Sequence, residues 1–294
     1  MSFIHTLLAL LVVIIWGVNF IFIKLGLDEF SPLFLCALRF LFASVPAIFF
    51  IKPPAVSFKI TILYGLVMFA LQFTFLFLGM YAGMTPGMTS LIMQVQIFFS
   101  MFFAAFFLGE KPNPWQITGA FVSFLGIGLV ALHFNSNISI LGFVFVLAAA
   151  ATWGIGNLIP KKISNINMVA LVVWGCFVAC IPMLFIAWAV EGTTSITYSL
   201  QHASWIGAIS LFYIVCISTW VGYGIWNSLI IQYPIGMIVP FTLLIPIVGL
   251  LSSVLLLNEP FEQWKLMSGI LVVGGLYINV LGTRLLTMKR VNPA

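Results

Sequence analysis

Two glutamines, Gln94 and Gln96, lie in the stretch LIMQVQIFFS (Leu91 to Ser100), which is otherwise almost wholly apolar. A primary amide donates and accepts hydrogen bonds without carrying charge. It can therefore meet either end of a zwitterion, and an empty site holding it strands no ion. Arg39 is the second unusual residue, a cation inside the run LFLCALRFLF. A guanidinium grips a carboxylate through two parallel hydrogen bonds. Amides with one arginine suit recognition of a small zwitterion rather than bond cleavage. The chain has no HExxH, no GxxxxGK[ST] and no nucleophile with a base beside it, so no catalytic residue, metal or cofactor is assigned.

These side chains must be positioned by membrane-spanning helices. Of 294 residues, 63% are hydrophobic and 6% charged, against about 25% charged in soluble domains. So little charge cannot cover a soluble surface, and the chain is expected in a lipid bilayer. A spanning helix needs about 20 apolar residues, and ten such runs are read at roughly 5–25, 33–51, 61–81, 86–107, 114–133, 139–159, 168–188, 205–227, 236–257 and 264–284. The breaks, such as DEFSP, GEKPNP, EGTTSITYSLQH and NEPFEQ, hold most charges and many prolines. Strand alternation is absent, which excludes a β-barrel. The first run lacks a basic start and a cleavage site, unlike a removable signal peptide. Cys36, Cys176, Cys180 and Cys216 all lie in apolar runs and read as small packing residues.

Eight basic residues (Lys52, Lys59, Lys111, Lys161, Lys162, Arg284, Lys289 and Arg290) fall in connections on one side, and two, Lys24 and Lys265, on the other. That bias places both termini in the cytoplasm. The basic residues form no cluster for nucleic acid.

The chain repeats itself. TPGMTSLIMQVQ, running on to GEKPNPW at Trp115, aligns with PIGMIVPFTLL, running on to NEPFEQW at Trp264, at an offset of 149. Earlier, WGVNFIFIK at Trp16 aligns with WGIGNLIPK at Trp153 at an offset of 137, so the second half carries extra residues that the loop EGTTSITYSLQHASW can hold. Two five-helix repeats result, 1–135 and 136–294. An odd helix count inverts the second relative to the first, the architecture of secondary transporters with a midplane site.

At 1.5 Å per residue, Trp16 and Gln72 fall near the centres of their helices and Gln94 and Gln96 within about 4 Å of theirs. Asn19 and Arg39 lie roughly 5–6 Å outward, and Trp153 and Trp174 a similar distance inward. Polar groups at such depth face the bundle interior. The amides either line an aqueous pocket or bond neighbouring helices. Gln94 and Gln96 are about 200° apart on a helix, so only one faces a given cavity; depth favours Gln94. Arg39 either binds a substrate carboxylate or pairs with Asp28, Glu29 or carbonyls at the outer mouth. Trp16, Trp153, Trp174 and Tyr223 either wall the pocket or pack. Glu110 and Glu259 end equivalent helices on opposite faces. They serve as gates or proton sites, or cap the turn and pair with Lys111 and Lys265.

The elements WGVNF, ALRF (Ala37 to Phe40), MQVQIFFS, the late GE and NE motifs, VGYGIW (Val221 to Trp226) and GLYINV (Gly275 to Val280) resemble the EamA-type transporters of the drug/metabolite transporter superfamily. The resemblance covers nearly the whole chain. It implies ten helices in two inverted repeats, a bacterial inner-membrane location, and export of small metabolites, chiefly amino acids and relatives such as cysteine and O-acetylserine. A multidrug or other metabolite exporter, or a passive facilitator, is the alternative within the fold; an integral-membrane enzyme is the rival class. A monomer is expected.

Overall fold

The computed structural model describes residues 1–133, 139–161, 167–233, 238–260 and 262–291. Among these residues every regular element is helical. The long helices are α1 (Phe3–Leu27), α2 (Pro32–Ile48), α3 (Phe58–Tyr81), α4 (Pro86–Leu108), α5 (Pro114–Ala131), α6 (Ile140–Pro160), α7 (Met168–His202), α8 (Trp205–Trp226), α9 (Phe241–Leu257) and α10 (Gln263–Val291). Seven of them among the described residues, α1 and α3 to α8, are long and apolar enough to cross a membrane, and α2 and α9 are shorter apolar helices. The boundary expected around Ile230 to Gly236 falls partly outside the described residues, as do Lys162 and Gly236.

Local chemistry sets several ends. Asn113 and Gln116 form a reciprocal capping box around Pro114 at the start of α5, satisfying donors that the first turn leaves free. The Thr85 hydroxyl accepts from the Met88 N–H at the start of α4. Departing from the expected ten-residue-plus loop, α7 runs on to His202, with a kink at Gly192 (φ 76°). The β-branched run TTSIT suggests coil, but tertiary ties hold it helical. Ser199 Oγ accepts from the Ser31 N–H at 3.3 Å. Glu191 accepts from the Ser31 hydroxyl and the Leu33 and Phe34 N–H groups at 2.6–3.0 Å, capping α2 with a carboxylate where the helix dipole is positive.

Four helices lose regularity in their interiors. In α4, i to i−3 bonds replace the α pattern around Gln94 and Val95. A 3-10 stretch, Val239–Leu244, leads into the regular part of α9. Helices α3 and α8 contain π segments, Gly65–Leu71 and Tyr213–Gly222. Such segments free backbone carbonyls and occur often at functional sites.

The same local geometry recurs 149 residues apart. The helix ending at Leu108 closes on Gly109 with φ 68°, and the one ending at Leu257 closes on Asn258 with φ 52°. Glu110 N–H donates to Ala104 O at 3.3 Å, and Glu259 N–H to Ser253 O at 3.3 Å. Helices α5 and α10 run antiparallel along a seam of small residues. Ser123 Oγ donates to Val272 O at 2.9 Å and Ser268 Oγ to Gly126 O at 2.8 Å. A Cβ on Gly275 would sit 2.3 Å from Gly119 O; small residues permit this approach, which packing in lipid requires. The outward faces are apolar, including Phe106, Phe121, Phe185 and Leu255.

Candidate functional site

Every residue of α2 from Leu33 to Phe40 is buried, so Arg39 has no route to water along its own helix. It is 4% exposed. Its guanidinium carbon lies 4.2 Å from the Phe73 ring centroid, and Nη1 has no acceptor among the described residues. Its ionisable neighbours are the Tyr223 hydroxyl and the Cys36 and Cys176 thiols. The carboxylates that follow α1 are engaged elsewhere. Asp28 pairs with Lys24, and Glu29 accepts from the Ser204 N–H and hydroxyl, both at 2.7 Å. Those two donors hold the Glu29 carboxyl below the usual carboxylate range. A desolvated cation–π contact is worth about 2 kcal/mol, against about 2.5–3.5 kcal/mol for an arginine at this depth. The Phe73 ring alone therefore leaves Arg39 under-compensated, with a buried donor that meets no acceptor among the described residues.

Trp16 packs in tilted geometry against both Tyr223 and Trp226, with ring centroids 5.3 Å apart in each pair. Its indole N–H donates at 3.1 Å to Ser218 O, a carbonyl in the π segment of α8. Trp220 N–H donates to Ala43 O at 3.0 Å, and the Tyr213 hydroxyl to Ile15 O at 3.0 Å. The irregular stretch of α8 is thus pinned to α1 and α2. Asn19, on α1, is buried with its Oδ1 lacking a donor among the described residues. Gln72 is buried beside Phe73. Tyr223, Thr219 and Trp220 also border an apolar cavity of about 420 Å³ between α2, α7 and α8.

The two glutamines meet different neighbours. Gln94 is buried, and its amide donates to Thr242 O at 3.2 Å, joining the irregular turns of α4 and α9. Gln96 lines a cavity of about 400 Å³ with Ser100, Asn157, Glu110, Lys111 and Gln116. Trp153 packs against the core, and Trp174 donates to Ile51 O at 2.9 Å near the end of α2. Neither joins Arg39.

At the far end of α9, Glu259 accepts from the Thr85 hydroxyl at 2.7 Å, from the Lys265 ammonium at 3.0 Å and from the Ser253 hydroxyl. The Lys265 and Glu259 side chains are 4% and 8% exposed. A pair so buried holds only when further hydrogen bonds satisfy it, and Thr85, Ser253 and Pro260 O supply them.

Sequence reading missed Ser100, Asn157, Thr85 and Ser253. Ser100 is four residues from Gln96 and so shares its face. Asn157 ends WGIGN, the element aligned with WGVNF. Thr85 and Ser253 carried no signal in isolation.

Helices that bury an arginine and amides while facing outward with phenylalanine and leucine define a multi-pass membrane transport protein. The chain belongs to the EamA-like transporter family, whose profile matches residues 4–132 and 140–281, and it resides in the bacterial inner membrane. It is 38% identical over 284 residues to the "Probable amino-acid metabolite efflux pump" of Escherichia coli, covering 94% of this chain and 95% of that one. The protein of the same description from Salmonella typhimurium is 39% identical over 292 residues, with 97% of each chain covered. A solved crystal structure of a protein only 15% identical shares the fold with a TM-score of 0.60, covering 94% of this chain and 97% of that one.

Proposed function

We propose that the chain exports small zwitterionic metabolites, amino acids or relatives such as cysteine and O-acetylserine, by alternating access around a midplane pocket. Residues 1–135 and 136–294 form two inverted five-helix repeats of a ten-span monomer with both termini in the cytoplasm. The antiparallel α5–α10 seam and the geometry repeated at an offset of 149 support the inversion. The basic side chains crowd one set of connections, which supports the orientation.

The single observation that carries the substrate class is the buried Arg39, whose Nη1 lacks an acceptor among the described residues. A carboxylate completes it through a charge-assisted hydrogen bond. Asn19 Oδ1, an acceptor with no donor among the described residues, suits an ammonium. The description of both relatives as probable amino-acid metabolite efflux pumps supports the same substrate class. Five of the six acidic residues lie near helix ends, and Glu191 sits beside the Gly192 kink of α7, so none is placed at the midplane to load a proton.

The test is flux in proteoliposomes with a panel of amino acids, with and without a pH gradient. Saturable counterflow of zwitterions, lost for the corresponding amino-acid amides that lack the carboxylate, is expected. Equal transport of the amides would overturn the Arg39 reading.

A further inference from the structure

The apolar cavity of about 420 Å³ between α2, α7 and α8 has no charged residue among those that border it. Two polar groups in its walls are committed to backbone carbonyls. Trp220 N–H donates to Ala43 O at 3.0 Å, and the Thr219 hydroxyl to Ile214 O at 2.9 Å. A guest therefore meets mainly aliphatic and aromatic surface. An apolar cavity of roughly 150 Å³ takes a benzene ring, so this one has room for a phenyl or indole group. Phe50 and Val169, both exposed, lie at its rim.

Three helices lead from this cavity to Arg39. On α2, Ala43 and Ala47 follow Arg39 by four and eight residues, so all three share a face. On α7, Val172 and Val173 precede Cys176 by four and three residues, and on α8 Tyr223 follows Thr219 by four. Ala43, Ala47, Val172, Val173, Thr219 and Tyr223 all border the cavity, whereas Cys176 and Tyr223 are among the ionisable neighbours of Arg39. Tyr223 belongs to both places. At 1.5 Å per residue, Ala43 lies only about 6 Å along α2 from Arg39.

We propose that this cavity is the side-chain subsite of the transport site. A zwitterion held by its carboxylate on Arg39 places a large apolar side chain, aromatic or long aliphatic, between α2, α7 and α8. Small zwitterions such as cysteine leave the cavity empty and bind more weakly, because they gain nothing from burying apolar surface there. The subsite rests on the Arg39 reading given above and adds to it a preference by size and polarity.

Counterflow in proteoliposomes, corrected for empty liposomes, tests this with alanine, norleucine, phenylalanine and phenylalaninamide. Norleucine and phenylalanine should half-saturate at concentrations about tenfold or more below alanine, the gain expected from burying a side chain of that size. Gly224 borders the cavity, and a Cβ there would meet nothing within 4 Å. Gly224→Leu therefore fills space without displacing a neighbour, and it should abolish the preference. Gly128→Leu is the same exchange on α5, where a Cβ also meets nothing within 4 Å, and it should keep the preference. Should Gly224→Leu not fold, Ala47→Leu fills the same cavity and should act alike. Saturable flux of all three zwitterions without preference in the parent protein would overturn the subsite, assign the cavity to an acyl chain of the bilayer and leave the Arg39 reading standing. A preference that survives both Gly224→Leu and Ala47→Leu in folded protein would also overturn it. Absence of saturable flux, or equal transport of phenylalaninamide and phenylalanine, would overturn the Arg39 reading and the subsite with it.

Discussion

Asn157 donates from one amide nitrogen to Gln96 Oε1 at 2.9 Å and to Ser100 Oγ at 3.0 Å, so α6 and α4 share one polar wall of the cavity beside Glu110. Gln94, two residues away, instead joins α4 to α9. The two glutamines should therefore fail differently. Gln96→Leu should cut transport several-fold with thermal stability nearly unchanged. Gln94→Leu loses an interhelical bond worth about 0.6 kcal/mol on average, and should lower the melting temperature while transport tracks the folded fraction. Paired flux and melting measurements decide. Equal flux for Gln96→Leu and the parent protein would remove the amide from the path.

Arg39 Nη1 meets no acceptor among the described residues, so its effect should appear in affinity. A hydrogen bond to a charged group is worth about 1.5–3 kcal/mol, and Arg39→Gln should raise the half-saturation concentration about tenfold or more. Arg39→Lys should restore little, because an ammonium lacks the planar fork. Expression and melting should stay near parental values. A well-folded Arg39→Gln protein of normal affinity would return the residue to packing over Phe73.

The seam between α5 and α10 leaves no room for a side chain at Gly275. Gly275→Leu should reduce folded yield sharply. Even Gly275→Ala, whose Cβ meets both Gly119 O and Ser123 Oγ at 2.3 Å, should destabilise by about 1–3 kcal/mol through overpacking. Thermal unfolding in detergent measures this. A Gly275→Ala protein as stable as the parent would mean that the helices can separate without cost.

Counted along the ten apolar runs, eight of the ten basic residues other than Arg39 are assigned to one side, so a C-terminal alkaline phosphatase fusion should be inactive and a cytoplasmic reporter at the same place active. The opposite pattern would reverse the orientation and leave the fold unaffected.

Glu29 offers a pH-dependent contact outside the bilayer. Its carboxyl is held below the usual value of 4.5 by the Ser204 donors. A carboxyl so depressed stabilises the fold above the usual carboxylate range, and that contribution fades as pH falls through the lowered folded value. Protection of the Ser204 amide from hydrogen exchange, corrected for the intrinsic rate, should thus drop only in acid. Glu29→Gln should show weaker protection at neutral pH and no acid step.

Much of the helical frame was legible. Apolar runs bounded by prolines and charges marked the helices, because lipid demands unbroken hydrogen-bonded backbone. The repeat at an offset of 149 was legible from Glu110 and Glu259 outward. Arg39 and the amides stood out because polarity is costly in lipid. Four things were not readable along the chain. The helix after Gly192 depends on Glu191 and Ser199 reaching Ser31, contacts about 160 residues apart. The azimuth of Gln94 against Gln96 depends on the irregular turn between them. Asn157 gained meaning only when α6 lay beside α4. The donors around Glu259 became visible only with both repeats side by side.

The π segment Gly65–Leu71 in α3 ends one residue before Gln72 and two before Phe73, the ring beneath Arg39. A π turn accommodates an additional residue, and one residue corresponds to about 100° of rotation around a helix. The segment therefore acts as a phase setting for the rest of α3. If one residue within 65–71 were removed, the turn could relax to ordinary α geometry, but Gln72 and Phe73 would swing by about that angle. The arginine would lose its aromatic platform although neither residue of the contact had been changed.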